Sequence, residues 1–182
     1  KLSSSDVLPD TWNIDFWGKD GSTLIVPEDA AVQYNGWNLT FYTPVVINGT
    51  MTLKNGLRSY DSITVNGTLT TYGAVDMYQD DMVMGADGKL YLRERTNSTA
   101  HGRVVFYCTD AEHGLVLPEG AAMADHVLRD SNACRLEKSY VTRISGLSRY
   151  IEMAQNDSTM HYAVDLNGEW DEDTGRSLPV QF

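Results

Sequence analysis

Short segments in which apolar and polar residues alternate recur along most of the chain, and turn residues separate them. Residues 46–53 (VINGTMTL) and 64–71 (TVNGTLTT) share one pattern: an apolar segment, an Asn-Gly pair and an alternating segment. Residues 82–92 (MVMGADGKLYL) repeat this pattern with a longer glycine turn. Residues 24–32 (LIVPEDAAV) and 115–123 (LVLPEGAAM) share a second pattern with a proline corner. Both patterns predict short β-strands.

The predicted strands begin at nearly constant intervals. They start at Leu24, Val45, Ile63, Met82 and Val104, with successive spacings of 21, 18, 19 and 22 residues. A meander of hairpins with type I′ Asn-Gly turns and a solenoid of parallel rungs both contain such strands. Only the solenoid requires the whole unit to repeat, because each rung presents the same inward side chains to the next. We therefore predict an all-β chain folded as a right-handed parallel β-helix of about four to six rungs, with a sandwich or jelly roll as the alternative.

The repeat also predicts the core and the ends of the solenoid. The inward apolar residues are expected to be Val45, Ile47, Met51, Leu53, Ile63, Val65, Leu69, Met82, Met84, Leu90 and Leu92. We expect a single domain over residues 1–182, with rungs over about 22–120 and a capping region over about 121–182. Residues 11–17 (TWNIDFW) predict an aromatic N-terminal cap. Residues 161–171 predict a hairpin around Asn-Gly, and residues 146–155 predict a short helix.

Charge and length exclude several classes of function. With 182 residues and 42% hydrophobic residues, the chain is long enough for one globular core. Its net charge of −11 argues against binding to nucleic acid or to an anionic membrane surface. No apolar stretch approaches the ~20 residues of a membrane span, so we expect no membrane insertion. Cys108 and Cys134 are either one disulfide or two buried thiols, and the sequence leaves both open.

No constellation of residues in the sequence is typical of nucleophilic catalysis or of a metal site. There is no Gly-x-Ser-x-Gly motif, and the four histidines are dispersed. Cys108, Cys134 and His113 lack the paired short spacings of zinc ligands, and the acidic residues near Asp171 do not match an EF-hand. We therefore expect no catalytic residue, metal or cofactor.

Several carboxylate residues support an alternative interpretation, in which the protein is an enzyme that acts on polysaccharides. A glycosidase needs two carboxyl groups with different pKa values, whereas a lyase needs a basic residue to remove a sugar proton. Asp76, Asp80 and Asp81 lie close together in sequence, and Asp61 precedes Asp80 by 19 residues. The arginines available on comparable rungs are Arg58, Arg93 and Arg95. Turn formation explains Asp61, Asp80 and Asp81 equally well, so we expect a protein without catalytic activity.

Aromatic residues beside polar turns are typical of glycan-binding surfaces, where rings stack on sugars. Tyr34, Trp37 and Tyr42 lie around an Asn-Gly turn, and Trp12 belongs to the predicted N-terminal cap. We predict these four residues as the binding site, although rings of this kind also fill the ends and corners of solenoids.

The segments NGTMTL, NGTLTT and LIVPEDAAV resemble rungs of parallel β-helix domains in bacterial cell-surface proteins, including adhesins and autotransporter passengers. The resemblance covers roughly residues 22–120. It implies a non-catalytic structural or adhesive domain of a bacterial surface or secreted protein, located outside the cell. Its partner would be a glycan or a protein of the host or cell surface. Some proteins of this architecture cleave acidic polysaccharides, so a lyase or glycoside hydrolase, or a fragment of one, is the alternative.

Overall fold

The computed structural model describes residues 13–19, 21–78, 80–96, 98–108, 113–143, 150–156 and 159–164. The strands within these ranges form three sheets. The first sheet contains β2 (Leu24–Val26), β5 (Val45–Ile47), β8 (Ile63–Val65), β11 (Met82–Met84) and β14 (Leu115–Val116). The second contains β3 (Ala31–Tyr34), β6 (Thr50–Leu53), β9 (Thr68–Thr71), β12 (Lys89–Leu92) and β15 (Val127–Arg129). The third contains β1 (Asn13–Phe16), β4 (Asn38–Phe41), β7 (Gly56–Ser59), β10 (Ala74–Tyr78), β13 (Arg103–Cys108), β16 (Arg135–Arg143), β17 (Tyr150–Asn156) and β18 (Thr159–Val164).

The chain visits the three sheets in turn, so that each rung contributes one strand to each sheet. Five such rungs are stacked, and neighbouring strands from β1 to β16 pair in parallel. Val45 lies opposite Ile63, and Thr50 lies opposite Thr68, both at the 18-residue offset of the sequence repeat. The predicted right-handed parallel β-helix is confirmed. The meander and the sandwich are wrong, because the strands on either side of Asn48-Gly49 and of Asn66-Gly67 belong to different, parallel sheets.

The core is one continuous column of apolar side chains inside the solenoid. Buried and less buried positions alternate along β5, β8 and β11, as the pleat requires. Each predicted core residue is at most 3% exposed: Val45, Ile47, Met51, Leu53, Ile63, Val65, Leu69, Met82, Met84, Leu90 and Leu92. A fully buried aliphatic side chain contributes about 1.5–3 kcal/mol, so this column is the main source of stability.

Asn48-Gly49 and Asn66-Gly67 form corners between the first and second sheets. The Asn66 Nδ2 group donates a hydrogen bond of 2.8 Å to Asn48 Oδ1 on the neighbouring rung. A Cβ atom on Gly67 would lie 2.1 Å from the carbonyl oxygen of Gly49, closer than any real contact. Glycine is therefore required because the rungs approach closely here, and not to form the type I′ turn of a hairpin.

One predicted strand start is wrong. Val104 lies in β13 of the third sheet, whereas the fifth strand of the first sheet begins at Leu115. The cause is a ten-residue segment, 93–102, between β12 and β13, where the preceding rungs have only two or three residues. This insertion places Val104 at an interval that matches the repeat by coincidence. The likeness between residues 24–32 and 115–123 identifies the true equivalent strand.

The two ends of the solenoid differ from the expectation in part. β1 extends the third sheet by one strand, and the Phe16 ring packs against Phe41 with centroids 5.5 Å apart. Residues 121–129 contain a helical turn and a strand, since α1 (Met123–His126) is a single turn that leads into β15. The predicted short helix over residues 146–155 is wrong for residues 150–155, since β17 is a strand that pairs antiparallel with β16 and β18. Residues 146–149 lie outside the described part of the chain.

The predicted C-terminal hairpin over residues 161–171 is described only in its first part. Its first part, residues 161–164, lies in β18 and pairs with β17, which precedes it in the chain. The Asn-Gly pair at residues 167–168 lies outside the described residues.

Candidate functional site

The outer face of the third sheet carries three columns of side chains that run along the solenoid. They alternate with core residues on the strands, and parallel pairing aligns them from rung to rung. The first column consists of Asn38, Gly56, Ala74, Arg103 and Arg135. The second consists of Thr40, Arg58, Asp76, Val105 and Glu137. The third consists of Trp17, Tyr42, Tyr60, Tyr78 and Tyr107, and we call it the aromatic ladder.

The aromatic ladder is a continuous stack of nearly parallel rings. Trp17 and Tyr42 have centroids 3.7 Å apart, and the three following steps measure 4.9, 4.8 and 4.9 Å. The angle between neighbouring rings does not exceed 12°. The spacing matches the distance of about 4.8 Å between paired strands, so the sheet itself sets the stacking distance. Tyr60 is 45% and Trp17 is 72% exposed, so the ladder forms a ridge in contact with solvent.

The predicted binding residues are distributed over three different environments. Tyr34 is fully buried and donates its hydroxyl hydrogen bond to the Asn38 carbonyl, so the expectation of an exposed ring is wrong there. Tyr42 lies in the aromatic ladder, where Trp17 and Tyr60 cover its two faces. Trp37 is 56% exposed. Trp12, the fourth predicted residue, lies outside the described residues.

Beside the first column lies a groove formed by two adjoining cavities. One has a volume of about 340 Å³ and is lined by Trp37, Arg58 and Asp76 among others. The other has a volume of about 460 Å³ and is lined by Arg103 and Arg135 among others. Both share Gly73, Ala74 and Ala100 in their walls. The small side chains at this corner leave the space that the groove occupies.

The inserted segment 93–102 forms one wall of the groove. Its two ends meet in an isolated antiparallel bridge between Glu94 and His101. From its middle, Arg95 Nη1 donates a 2.7 Å hydrogen bond to Asn55 Oδ1, two rungs away. Asn55 is itself held by hydrogen bonds of 2.9 and 2.7 Å to the carbonyl groups of Asn35 and Gly36. The segment is therefore fixed across the corner.

Asp130, which follows β15, fixes the base of the same segment. It accepts hydrogen bonds from Arg93 at 2.7 Å and from the Glu94 amide at 3.0 Å. These hydrogen bonds, the amide first, lower the pKa of the exposed Asp130 carboxyl. Arg93, predicted as a candidate base, is thus engaged in an ion pair at the surface.

Asp76 is the carboxylate with the most unusual environment on this face. It lies beside Arg58 on one neighbouring rung, and the positive charge of Arg103 also acts on it. Burial raises its pKa above the ordinary value of 3.8, and the two guanidinium groups offset only part of this rise. Its Oδ1 atom is buried without a hydrogen-bond partner among the described residues. An unpaired buried acceptor is costly and gives Asp76 capacity to bind a donor.

Glu137 links the two arginines at the far end of the groove. Its carboxylate accepts a hydrogen bond from Arg135 Nε, and the other oxygen lies 4.0 Å from Arg103 Nη1. His101 lines the same cavity, and its Nδ1 atom is buried without a hydrogen-bond partner in the described part of the chain.

The other candidate carboxylates have turn functions. Asp61 Oδ1 accepts a hydrogen bond from the Ser62 amide at 2.8 Å, and Asp80 Oδ1 accepts one from the Asp81 amide at 2.9 Å. Asp81 Oδ1 accepts one from the Gly114 amide at 2.7 Å. Asp61 and Asp80 do occupy equivalent positions on neighbouring rungs, but as corner residues ahead of β8 and β11.

Neither metal nor thiol chemistry gains support from the described residues. Among them, no group of three histidine, cysteine, aspartate or glutamate side chains is placed to hold a metal ion. Cys134 is buried and has a free thiol, and the Cys108 side chain lies outside the description. The acidic residues around 171–173 also lie outside it. In the same part of the chain, no helix is long and apolar enough to cross a membrane.

Sequence reasoning missed the aromatic ladder, although its signal was present. Tyr42, Tyr60 and Tyr78 are spaced by the same 18 residues as the repeat. A residue type that recurs at the rung period on an outward position predicts a column along the solenoid. Arg58 and Asp76 are also 18 residues apart, and the same argument would have placed them side by side.

Comparison with protein-family models, with curated proteins and with solved structures finds no match for this chain.

Proposed function

We propose that this is a non-catalytic extracellular domain that binds an extended glycan along the outer face of its third sheet. The observation that carries the proposal is the groove, which runs across successive rungs between segment 93–102 and the second column. Its lining residues come from all five rungs, which span roughly 19 Å at about 4.8 Å per step. An extended polymer is the ligand that matches an elongated site built from repeating units.

The side chains of the groove support sugar binding in two ways. Trp37 is exposed at one end and presents a large aromatic ring beside the polar Asn38 and Arg58. Ligand sites typically combine apolar or aromatic surface with a few placed polar groups. Tyr42 is a poor stacking partner because both faces of its ring are already covered. We assign the stacking role to Trp37 because it is exposed and lines the groove.

Adhesion at the surface of a bacterial cell, or in a secreted protein, is part of the same proposal. A continuous apolar core and parallel pairing from rung to rung make the solenoid a stiff element. Such an element suits a domain that displays a binding surface away from its attachment. The likeness of the rung segments to those of bacterial adhesins supports this location and a glycan or cell-surface protein as partner.

Native affinity electrophoresis through gels that contain individual polysaccharides and cell-wall glycans tests the proposal. We expect at least one glycan to retard the protein, and Trp37→Ala to abolish the retardation. Tyr91→Ala is the matched control, because Tyr91 is an aromatic residue on the second sheet, outside both cavities. Absence of retardation by every glycan, or equal loss in both variants, would contradict the proposal.

A polysaccharide-degrading enzyme is the second candidate, and Asp76 is the observation that favours it. A partly buried carboxyl group with a raised pKa in the lining of a groove has the property of a general acid. Incubation with the retarding glycan would then release reducing ends or unsaturated sugars, and Asp76→Asn would abolish the release. If the glycan stays intact on prolonged incubation, the enzyme candidate is wrong and binding alone remains.

A further inference from the structure

The charge of the groove is opposite to that of the whole protein. The chain has 25 acidic and 14 basic side chains, for a net charge of −11. Yet four arginines line the two cavities, and Asp76 is the one carboxylate among the described lining residues. The four arginines are Arg58, Arg95, Arg103 and Arg135. A cleft lined by one sign of charge attracts a ligand of the opposite sign.

The arginines lie on successive rungs, along the axis of the solenoid. Arg103 and Arg135 are register partners on neighbouring rungs, and Arg58 lies two rungs before Arg103. The shared partner Glu137 provides one negative charge for Arg103 and Arg135, so positive charge remains there. The side chains of Arg103 and Arg135 are 44% and 32% exposed, which leaves donors accessible. Guanidinium groups bind carboxylates with two parallel hydrogen bonds.

Asp76 favours a ligand that carries hydrogen-bond donors beside its negative charge. Its side chain lines the groove next to Arg58, and its Oδ1 atom has no hydrogen-bond partner among the described residues. A sugar provides hydroxyl donors on the same unit that carries a carboxylate. An acidic peptide offers one backbone N–H donor per residue, whereas each unit of such a sugar offers several hydroxyl donors, so the sugar is the better match to Asp76.

We propose that the groove binds a linear polysaccharide with carboxylates on its repeating sugars. Arg58, Arg103 and Arg135 bind the carboxylates, and Asp76 accepts a hydrogen bond from a sugar hydroxyl. This inference rests on the proposed glycan binding and names the class of glycan.

Titration calorimetry at low and moderate salt tests whether the groove binds an acidic polysaccharide. The three probes are polygalacturonate, its fully methyl-esterified form and poly-L-glutamate. We expect polygalacturonate to bind, to bind more weakly as salt rises, and to exceed both other polymers in affinity. Replacing Arg58 or Arg103 by Gln should lower the affinity roughly tenfold to a hundredfold, the loss of a charged hydrogen bond. Arg129→Gln is the control, because Arg129 is an exposed arginine on the second sheet, outside both cavities.

The outcomes separate this inference from the proposal on which it rests. If polygalacturonate and its methyl ester bind equally well, and Trp37→Ala but not Arg103→Gln abolishes this binding, the ligand is not an anionic glycan. The proposal of glycan binding would then still stand. Poly-L-glutamate bound as tightly as polygalacturonate would show that the groove recognises charge alone and would overturn the polysaccharide. No binding of these probes, together with no retardation by any glycan, would overturn both.

Discussion

Removal of one ring from the middle of the aromatic ladder should destabilise the protein, even though that ring is 45% exposed. Tyr60 stacks on Tyr42 at 4.9 Å and on Tyr78 at 4.8 Å. Tyr60→Ala removes both contacts and leaves the rings on either side without a partner on one face. Tyr60→Phe keeps the ring and both stacked pairs, so it is the matched control.

The expected magnitude follows from the number of contacts. A stacked aromatic pair contributes about 0.5–1.5 kcal/mol beyond the area that it buries, so two pairs give about 1–3 kcal/mol. An exposed side chain without such contacts usually changes the free energy of unfolding by less than about 0.5 kcal/mol. In a domain of this size, a loss of about 2 kcal/mol lowers Tm by roughly 4–8 °C. Tyr60→Phe should stay within about 0.5 kcal/mol of the original protein.

Urea unfolding of single and double variants measures the contacts directly. The cycle that combines Tyr60→Ala with Tyr78→Ala should give a coupling energy of about 0.5–1.5 kcal/mol. The cycle that combines Trp17→Ala with Tyr78→Ala should give a coupling near zero, because two rings lie between these residues. Additive effects in the first cycle, or equal stability of Tyr60→Ala and Tyr60→Phe, would refute the reasoning.

Three further predictions concern the rungs and the groove. Gly67→Ala should destabilise by about 1–3 kcal/mol or more in urea unfolding, because the new Cβ meets backbone. Gly114→Ala should lower the free energy of unfolding much less, since its Cβ meets only the flexible end of a lysine side chain. An equal loss of stability in the two variants would count against close contact between the rungs at Gly67. Val65→Asp should abolish cooperative unfolding monitored by circular dichroism, because it buries an unpaired charge, and native thermal stability would disprove the core column. Burial raises the pKa of Asp76 in the folded state, so its charged form costs stability as pH rises from its ordinary value of 3.8. The stability of Asp76→Asn relative to the original protein should therefore increase from pH 3 to pH 7, and a difference that is constant or grows towards low pH would contradict this.

The fold was predictable because the residues that a solenoid rung requires recur at a fixed interval in the sequence. Each rung must bring apolar residues to the same inward positions and a small residue to the same corner, and residues 46–53 and 64–71 meet both conditions at an offset of 18. The failure at Val104 has an equally physical reason. The insertion 93–102 leaves the strands on both sides of it in register with the preceding rung, but it shifts the interval between strands.

The site was predictable only in part, because it combines periodic and non-periodic residues. The ladder residues Tyr42, Tyr60 and Tyr78 follow the repeat and could have been read from it. Arg95 could not, because its position depends on how segment 93–102 folds back to Asn55, and no repeat constrains that segment. Tyr34 illustrates the converse difficulty, since an aromatic residue next to a polar turn is typical of both a binding surface and a core.

An NMR titration of the 15N-labelled domain with an oligomer of polygalacturonate tests the central claim, that the outer face of the third sheet is the binding surface. We predict the largest chemical-shift changes at the Trp37 indole and at the amides of Arg58, Asp76 and Arg103. Amides of the first sheet, such as that of Thr64, should stay unchanged. Changes concentrated on the first or second sheet, or no saturable change at all, would contradict the account.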